Sequence, residues 1–288
     1  MQVTPLADVQ PRPRRVAMGQ FDGVHVGHRE VIAGSDTVVT FDPHPLRIIR
    51  PDVAPKLLTT LAVKAELIAQ LDVRELVVIP FDEHFAALTP TQFVDEILIG
   101  RLQATHVSVG ENFSFGHAAA GTPAMLASDP RFDTRIVRLV EADGEIVSSS
   151  HIRALVNAGE VAHAARFLGR PFQLRGEVVH GDKRGRQLGF PTANLVPDEE
   201  LVCPGHGVYV ARAGDACAAV NVGVRPTFGM GLSLLVEAFL LDRDVDLYGQ
   251  ELRLDFLARL RGERRFDSAE TLVQQMRLDV EQARELCG

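Results

Sequence analysis

The chain has 288 residues, 46% hydrophobic and 24% charged, enough apolar material for two domains with separate cores and no basis for expecting disorder. Thirty Lys and Arg against 38 Asp and Glu leave a net charge of −8, which excludes a broad nucleic-acid footprint, because duplex binding needs a one-signed basic surface. Any phosphate must therefore be held locally. The three cysteines, Cys203, Cys217 and Cys287, are widely spaced and lack a C-x-x-C pair, so neither a disulfide framework nor a zinc knuckle is suggested and a reducing, cytoplasmic setting is expected.

In chain order, the first segment MQVTPLADVQPRPRR has no apolar core of the signal-peptide kind, and no apolar run reaches spanning length, so no membrane association is expected. Val16-Ala17-Met18 leads into GQFDGVHVGH (19–28) and a short helical stretch. TVVTF (37–41), LVVIP (76–80), HVSVG (106–110) and RIVRLV (135–140) are compact and β-branched, as buried parallel strands are. Between them, 61–71 and 91–102 carry apolar residues at helical spacing, the second opened by Thr89-Pro90-Thr91. This is a βαβ pattern. Four of the apolar runs are followed at once by polar, glycine- or proline-bearing loops, GQFDG, FDPHP, PFDE and GENFSFG, and in an open α/β sheet a ligand sits outside those carboxyl ends.

After Ser148-Ser149-Ser150 the pattern turns helical from His151 to Leu168, and Gly169-Arg170-Pro171 stops it; the domain boundary is placed there, giving domains 1–168 and 169–288. Beyond it, LRGEVVH, GVYVARAG, CAAVNVG, LLVEAFLLD and ELRLDFLARL are short strand-like runs at spacings that suit a small barrel or a sandwich. A final helix is expected, with Asp267 and Glu270 as its capping box and Leu272, Val273, Met276, Val280, Ala283 and Leu286 as its apolar face.

The pair His25 and His28 admits three readings: two satisfied polar side chains, half of a zinc site, or a phosphate grip. Zinc needs a further ligand, and apart from Asp22 no acid or cysteine stands at suitable spacing. A helix starting near Gly27 would aim unpaired N–H groups and its positive end into the loop, where imidazole donors add to the hold on an anion. Glycines 19, 23 and 27 allow close backbone approach, and Asp22 can orient a side chain or the loop itself. Nucleotidyl transfer uses such a site, because it requires charge stabilisation on phosphates and no covalent nucleophile. SSSHIR (148–153) adds hydroxyls and an arginine at another helix start, although serines there also serve simply as caps.

GQFDGVHVGH, TFDPHP (40–45), GENFSFG (110–116), SSSHIR, GRQLGFPTANL (185–195), NVGVRPTFG (221–229) and VEAFLLDRDVDLYG (236–249) resemble, in order and spacing, the bifunctional prokaryotic FAD synthetases, which join a riboflavin kinase to an FMN adenylyltransferase. The resemblance implies a Rossmann-like α/β nucleotidyltransferase domain followed by a small β-barrel riboflavin kinase domain with a C-terminal helix. It implies conversion of riboflavin to FMN and of FMN to FAD with ATP and Mg²⁺. In the first domain it makes His25 and His28 catalytic, assigns ATP to Gly19, Phe21, Asp22, Gly27, Ser149 and Arg153, and places Asn112 and Phe115 toward the flavin. Pro43-His44-Pro45 shapes a loop or is simply a rigid turn. In the second it assigns ATP to Gly181, Gly185 and Thr192, Mg²⁺ to the oxygens of Thr192 and Asn194, and the catalytic base to Glu237. Read without the resemblance, Glu237 is equally a surface-facing residue of an alternating strand, and GDKRGRQLG (181–189) lacks P-loop spacing.

Two features depart from the family. Ser150 stands where threonine is usual, and only residues 29–36 separate His28 from Thr37. A helix of about six residues spans about 9 Å, against about 17 Å for a five-residue strand, so this crossover scarcely covers the sheet. The alternatives that follow are a riboflavin kinase with impaired adenylyl transfer, or a flavin- or nucleotide-binding regulator without turnover. The segment GMGLSLL (229–235) is more apolar than an exposed loop requires.

Overall fold

The computed structural model describes residues 1–181, 189–226, 232–243 and 245–287. They fall into two compact units, Met1–Ser149 and Ser150–Gly288. The boundary expected at Leu168 and Gly169 lies two helices beyond that division.

In the first unit, β1 (Gln2–Pro5), β2 (Arg14–Met18), β3 (Thr37–Asp42), β4 (Glu75–Pro80), β5 (Ala104–Gly110) and β6 (Asp133–Val137) pair in parallel in the order β1-β4-β3-β2-β5-β6. The continuous apolar runs follow from burial on both faces. Val16, Met18, Val39, Val77 and Val107 pack on one side under Phe93, Val94 and Leu98, while Ala17, Val38 and Leu76 pack on the other under Ile32 and Ile68. The covering elements are α1 (Val26–Ile32), α2 (Pro45–Ile49), α3 (Leu61–Ala69), α4 (Glu83–Ala86), α5 (Pro90–Gln92) continued as a π-type turn over Phe93–Arg101, and α6 (Pro123–Ala127). Thr89 and Gln92 form a capping box at the start of α5, as Thr89-Pro90-Thr91 led one to expect. The crossover is short: α1 has seven residues, and β3 begins five residues after its end. At the amino ends of the strands, Arg14 is 1% exposed and pairs with Glu75 at 3.1 Å. Burial alone would raise the Glu75 carboxyl's pKa, but hydrogen bonds and charge from Arg14, with Thr4 and Arg12, hold it below the ordinary value.

One expectation is corrected here, and one strand was not foreseen. RIVRLV is not a buried strand: β6 ends at Val137, forms the sheet edge and leaves Ile136 42% exposed. The start of the chain, for which no strand was predicted, supplies β1, which pairs with β4.

The second unit opens with α7 (Ser149–Ala158) and α8 (Val161–Leu168), and Gly169, with φ 66°, ends the helical stretch in the left-handed region that glycine tolerates. The strands β9 (Phe172–Val179), β10 (Ala193–Pro197), β11 (Gly207–Ala213), β12 (Ala216–Pro226), β13 (Leu232–Leu240) and β14 (Glu251–Arg261) close an antiparallel barrel in the order β10-β13-β12-β11-β14-β9. Closure removes the free edges that an open sheet of these short strands would expose. In the first unit a small hairpin, β7 (Glu141–Ala142) with β8 (Glu145–Ile146), precedes α7. The final helix α9 (Ala269–Cys287) packs on β11, β12 and β14 through Val280 and Ala283.

Three further corrections concern α9. Its cap is Ser268, whose Oγ accepts from Thr271 N at 3.3 Å, one residue later than the expected Asp267 and Glu270 pair. Leu286, expected on the apolar face, is 53% exposed. The expectation of no disulfide framework is corrected: Cys217 on β12 and Cys287 at the end of α9 are bonded, with Cα atoms 6.0 Å apart, and Cys203 lies outside that bond. Cysteine spacing could not reveal a pair whose partners lie 70 residues apart and meet only when the helix folds back.

Candidate active sites

The loop after β2 lies where the chain order of the sheet reverses direction, β3 going to one side and β5 to the other. Its backbone is bent by three left-handed residues, Phe21 (φ 50°), Gly23 (φ 85°) and Val24 (φ 42°). Two of them are not glycine, a conformation that costs energy and persists only where surroundings enforce it. Asp22 supplies that enforcement. Its buried carboxylate accepts from Leu58 N at 2.9 Å and Thr59 N at 3.1 Å, and so orients the loop.

His25 is the N-cap of α1, its Nδ1 accepting from His28 N at 3.2 Å. In the neutral ring this places the proton on Nε2. The His25 and His28 rings stack with centroids 3.4 Å apart and planes at 16°, and Phe21 meets His28 edge-on at 5.3 Å. Two imidazolium charges at that separation would repel, which an anion at the edge of the stack offsets. Gly27 makes the stack possible, since a Cβ there would come 3.3 Å from the His25 ring; at Gly19 a Cβ would come 3.1 Å from the Phe21 ring. Ser149 joins this loop, its Oγ donating to the Asp22 carbonyl at 2.9 Å. Arg153 lies one turn along α7, in the other compact unit, and donates to Ser150 Oγ at 3.4 Å.

The remaining carboxyl ends carry aromatic rings. Phe41, Phe81, Phe85, Phe93, Phe115 and Phe113 form a continuous chain with centroid separations between 5.3 and 6.0 Å. Phe115 is buried in the core at 6% exposure, whereas Phe113 is only partly buried, and Asn112 is exposed just beyond β5. Pro43 follows a cis peptide bond, and His44 caps α2 through Nδ1. Sequence reading missed Phe41, Phe81 and Phe85, which lie far apart in the chain, and Lys64, described below.

In the barrel, register brings three polar residues into one row. Asn194 on β10 lies opposite Glu237 on β13, which lies opposite Asn221 on β12. Directly opposed residues of antiparallel strands share a face, and the alternating neighbours Leu195, Val236, Ala238, Val220 and Val222 are buried in the barrel core. Glu237 is therefore on the outer face, half-buried. A cavity of about 750 Å³ is lined by Asn194, the residue opposite Glu237, with Gly181, Gly189, Thr192, Asp242 and Tyr248 among others. A Cβ at Gly181 would fall 2.3 Å from Asn194 Nδ2, so any other residue there would displace the Asn194 amide. Among the described residues, the buried Asn194 Oδ1 has no hydrogen-bond partner. Gly185, and residues 229–231 of GMGLSLL, lie outside the described residues. Among the described residues no group of three or more His, Cys, Asp or Glu could hold a metal ion.

The FAD synthetase family model matches residues 8–151 and the riboflavin kinase family model residues 168–287. The chain belongs to the bifunctional riboflavin kinase/FMN adenylyltransferase family. It is 36% identical to the Bacillus subtilis member over 93% of this chain and 90% of that protein, and 37% identical to the Listeria monocytogenes member over 93% and 91%. The Escherichia coli K12 member is 35% identical over 95% of this chain and 92% of its own. A crystal structure described as a macrolide-efflux protein from Streptococcus pneumoniae shares the fold throughout, with a TM-score of 0.89, 30% identity and 99% of each chain covered. No helix among the described residues is long and apolar enough to cross a membrane.

Proposed function

We propose that this family member divides its two reactions between residues 1–168, which adenylylate FMN, and residues 169–288, which phosphorylate riboflavin, with ATP as donor each time. In the first, an FMN phosphate oxygen attacks the α-phosphorus of ATP and pyrophosphate leaves. The Nε2–H of His25 and the His28 ring hold charge that develops on the phosphates, while Ser149 and Arg153 hold the β,γ end. Gly19, Phe21 and Gly27 shape the cradle, Asp22 fixes its backbone, and Asn112 with the phenylalanine chain reaching Phe115 borders the flavin.

In the second, Glu237 accepts the proton of the terminal ribityl hydroxyl as it attacks the γ-phosphorus. Gly181, Gly185 and Thr192 contact ATP. The donor set there suits magnesium: Asn194 offers a buried amide oxygen without a hydrogen-bond partner among the described residues, and Thr192 a hydroxyl, both hard ligands. Bound there, the ion would neutralise charge across the phosphates. We keep the expected cytoplasmic setting, in which local redox poise decides the state of the Cys217–Cys287 pair.

The observation that carries this reading is the stacked His25–His28 pair at the start of α1, in a loop that also receives Ser149. The test is to incubate the pure chain with riboflavin, ATP and Mg²⁺ and resolve the flavins by chromatography. His28→Ala is expected to cut FAD formation by about 10²-fold or more while FMN accumulates, and Glu237→Ala to stop FMN formation while added FMN is still adenylylated. Loss of both steps in either folded variant would contradict the division.

A further inference from the structure

We propose that Lys64, on α3, is a positioning residue for adenylyl transfer: its buried ammonium ties the loop after β2 to β3 and offsets the charges of Asp22 and Asp42 at those strand ends. The proposal rests on the cradle reading above and adds a residue to it. Lys64 is 4% exposed, and lysine is almost never that buried without a purpose for its charge. Nζ donates to the Gln20 carbonyl at 2.8 Å and to Thr40 Oγ1 at 3.2 Å, and Thr40 Oγ1 itself donates to the Gln20 carbonyl at 3.0 Å. Gln20 is the second residue of the histidine-bearing loop, and Thr40 is near the end of β3.

Both of these acceptors are neutral, so a neutral donor would serve to join the two segments. The charge has a different use. Asp22 already has its carboxylate satisfied by Leu58 N, Thr59 N and Thr59 Oγ1, and needs no cation for hydrogen bonding. What Asp22 and Asp42 would do alone is repel a triphosphate and a phosphorylated flavin arriving at the same strand ends. Lys64 lies close enough to feel both carboxylates. Its charge keeps the local potential from turning negative where the anions must dock.

Burial pulls the Lys64 pKa down to about 8, with Asp22, on the loop after β2, and Asp42, at the end of β3, pulling it back up. A folded value below the unfolded one means that, above pH 8, the unfolded chain holds more protons, so this group makes folding more favourable as pH rises toward 10.5. Adenylyl transfer is expected to fall over the same range, opposite to stability. A purely structural role would not separate the two.

The experiment uses the full chain and follows kcat/KM for FMN adenylylation and for riboflavin phosphorylation from about pH 7 to about pH 10, with thermal unfolding alongside. The wild type should lose adenylylation around pH 8 with no matching limb in phosphorylation. Lys64→Met should lose about tenfold or more in adenylylation, mostly through the KM for ATP and FMN, and should lack that limb. Adding Asp42→Asn should restore part of the loss, and Lys64→Arg, charged throughout, should move the limb upward. The proposal is overturned by wild-type adenylylation in Lys64→Met, by a loss that Asp42→Asn does not relieve, or by a limb unmoved in Lys64→Arg. If Lys64→Met fails to fold, the wild-type and Lys64→Arg profiles decide. FAD formation that survives His28→Ala would sink the cradle reading, whereas an essential His28 beside an indifferent Lys64 sinks only this one.

Discussion

Gly27 is where helix propensity and the histidine stack make opposite demands. Alanine in place of glycine inside a helix ordinarily stabilises it by up to about 1 kcal/mol, yet a Cβ at position 27 would press against Cε1 and Nδ1 of His25 at 3.3 Å. Gly27→Ala is therefore expected to leave the unfolding midpoint of the first unit level or higher, while FAD formation drops several-fold and FMN formation is untouched. Equal loss of stability and of FAD would show instead that the glycine serves packing alone. The histidines themselves were legible because both fall within four residues of one loop. Lys64 was not, because a lysine in LAVKAEL looks like the solvent face of an amphipathic helix until the fold turns it toward Gln20 and Thr40. Asn221 emerges only through register, 16 residues from the Glu237 it faces.

Among the elements, the final helix depends on a bond that the chain order hides. Joining Cys217 to Cys287 closes a 70-residue loop in the unfolded chain, which by chain entropy stabilises the fold by up to about 4 kcal/mol. Cys217 Sγ lies 3.3 Å from the Ala283 carbonyl, and Arg212 donates to the Cys287 carbonyl at 2.9 Å, so the helix end is seated by other contacts as well. Cys287→Ser should accordingly lower barrel stability without reductant, and wild type and variant should converge when reductant is added. Thiol titration of denatured, never-reduced protein checks the premise: one thiol, from Cys203, is expected before reduction and three after it. Three at the outset would remove the bond from the account. Strong apolar runs predicted β3, β4 and β5 well, because burial on both faces leaves little choice of residue. The edges were harder. β1 buries only Thr4, and β6 is largely exposed, so neither carries a full pattern, and β10 is a short strand adjoining a polar, proline-bearing turn.

For the whole molecule, two features meet at the stretch between the sheet and the barrel. Every proposed kinase residue lies beyond Gly169, which is where sequence punctuation put the boundary, yet the compact unit begins at Ser150. The difference is α8. Val161, Ala164, Phe167 and Leu168 are each at most 1% exposed, and α8 packs on β9 and β14. Burying a large aliphatic or aromatic side chain contributes about 1.5–3 kcal/mol, so a barrel cut at Gly169 loses several kcal/mol of cover and exposes an apolar patch on those strands. Gly159 and Gly205 reinforce the link, since Cβ atoms there would strike Tyr209 Oη at 2.6 Å and the Asn157 carbonyl at 2.4 Å. Sequence alone could not see this, because helical periodicity shows that a face is apolar without showing which core it covers. A fragment spanning 150–288 is expected to fold and to turn riboflavin into FMN without further conversion to FAD. One spanning 169–288 should melt well below it or aggregate. Circular dichroism melts and flavin chromatography on the two fragments make the comparison. Matched stability would place α8 outside the barrel's folding unit, and FAD made by the longer fragment would break the assignment of adenylyl transfer to the histidine loop.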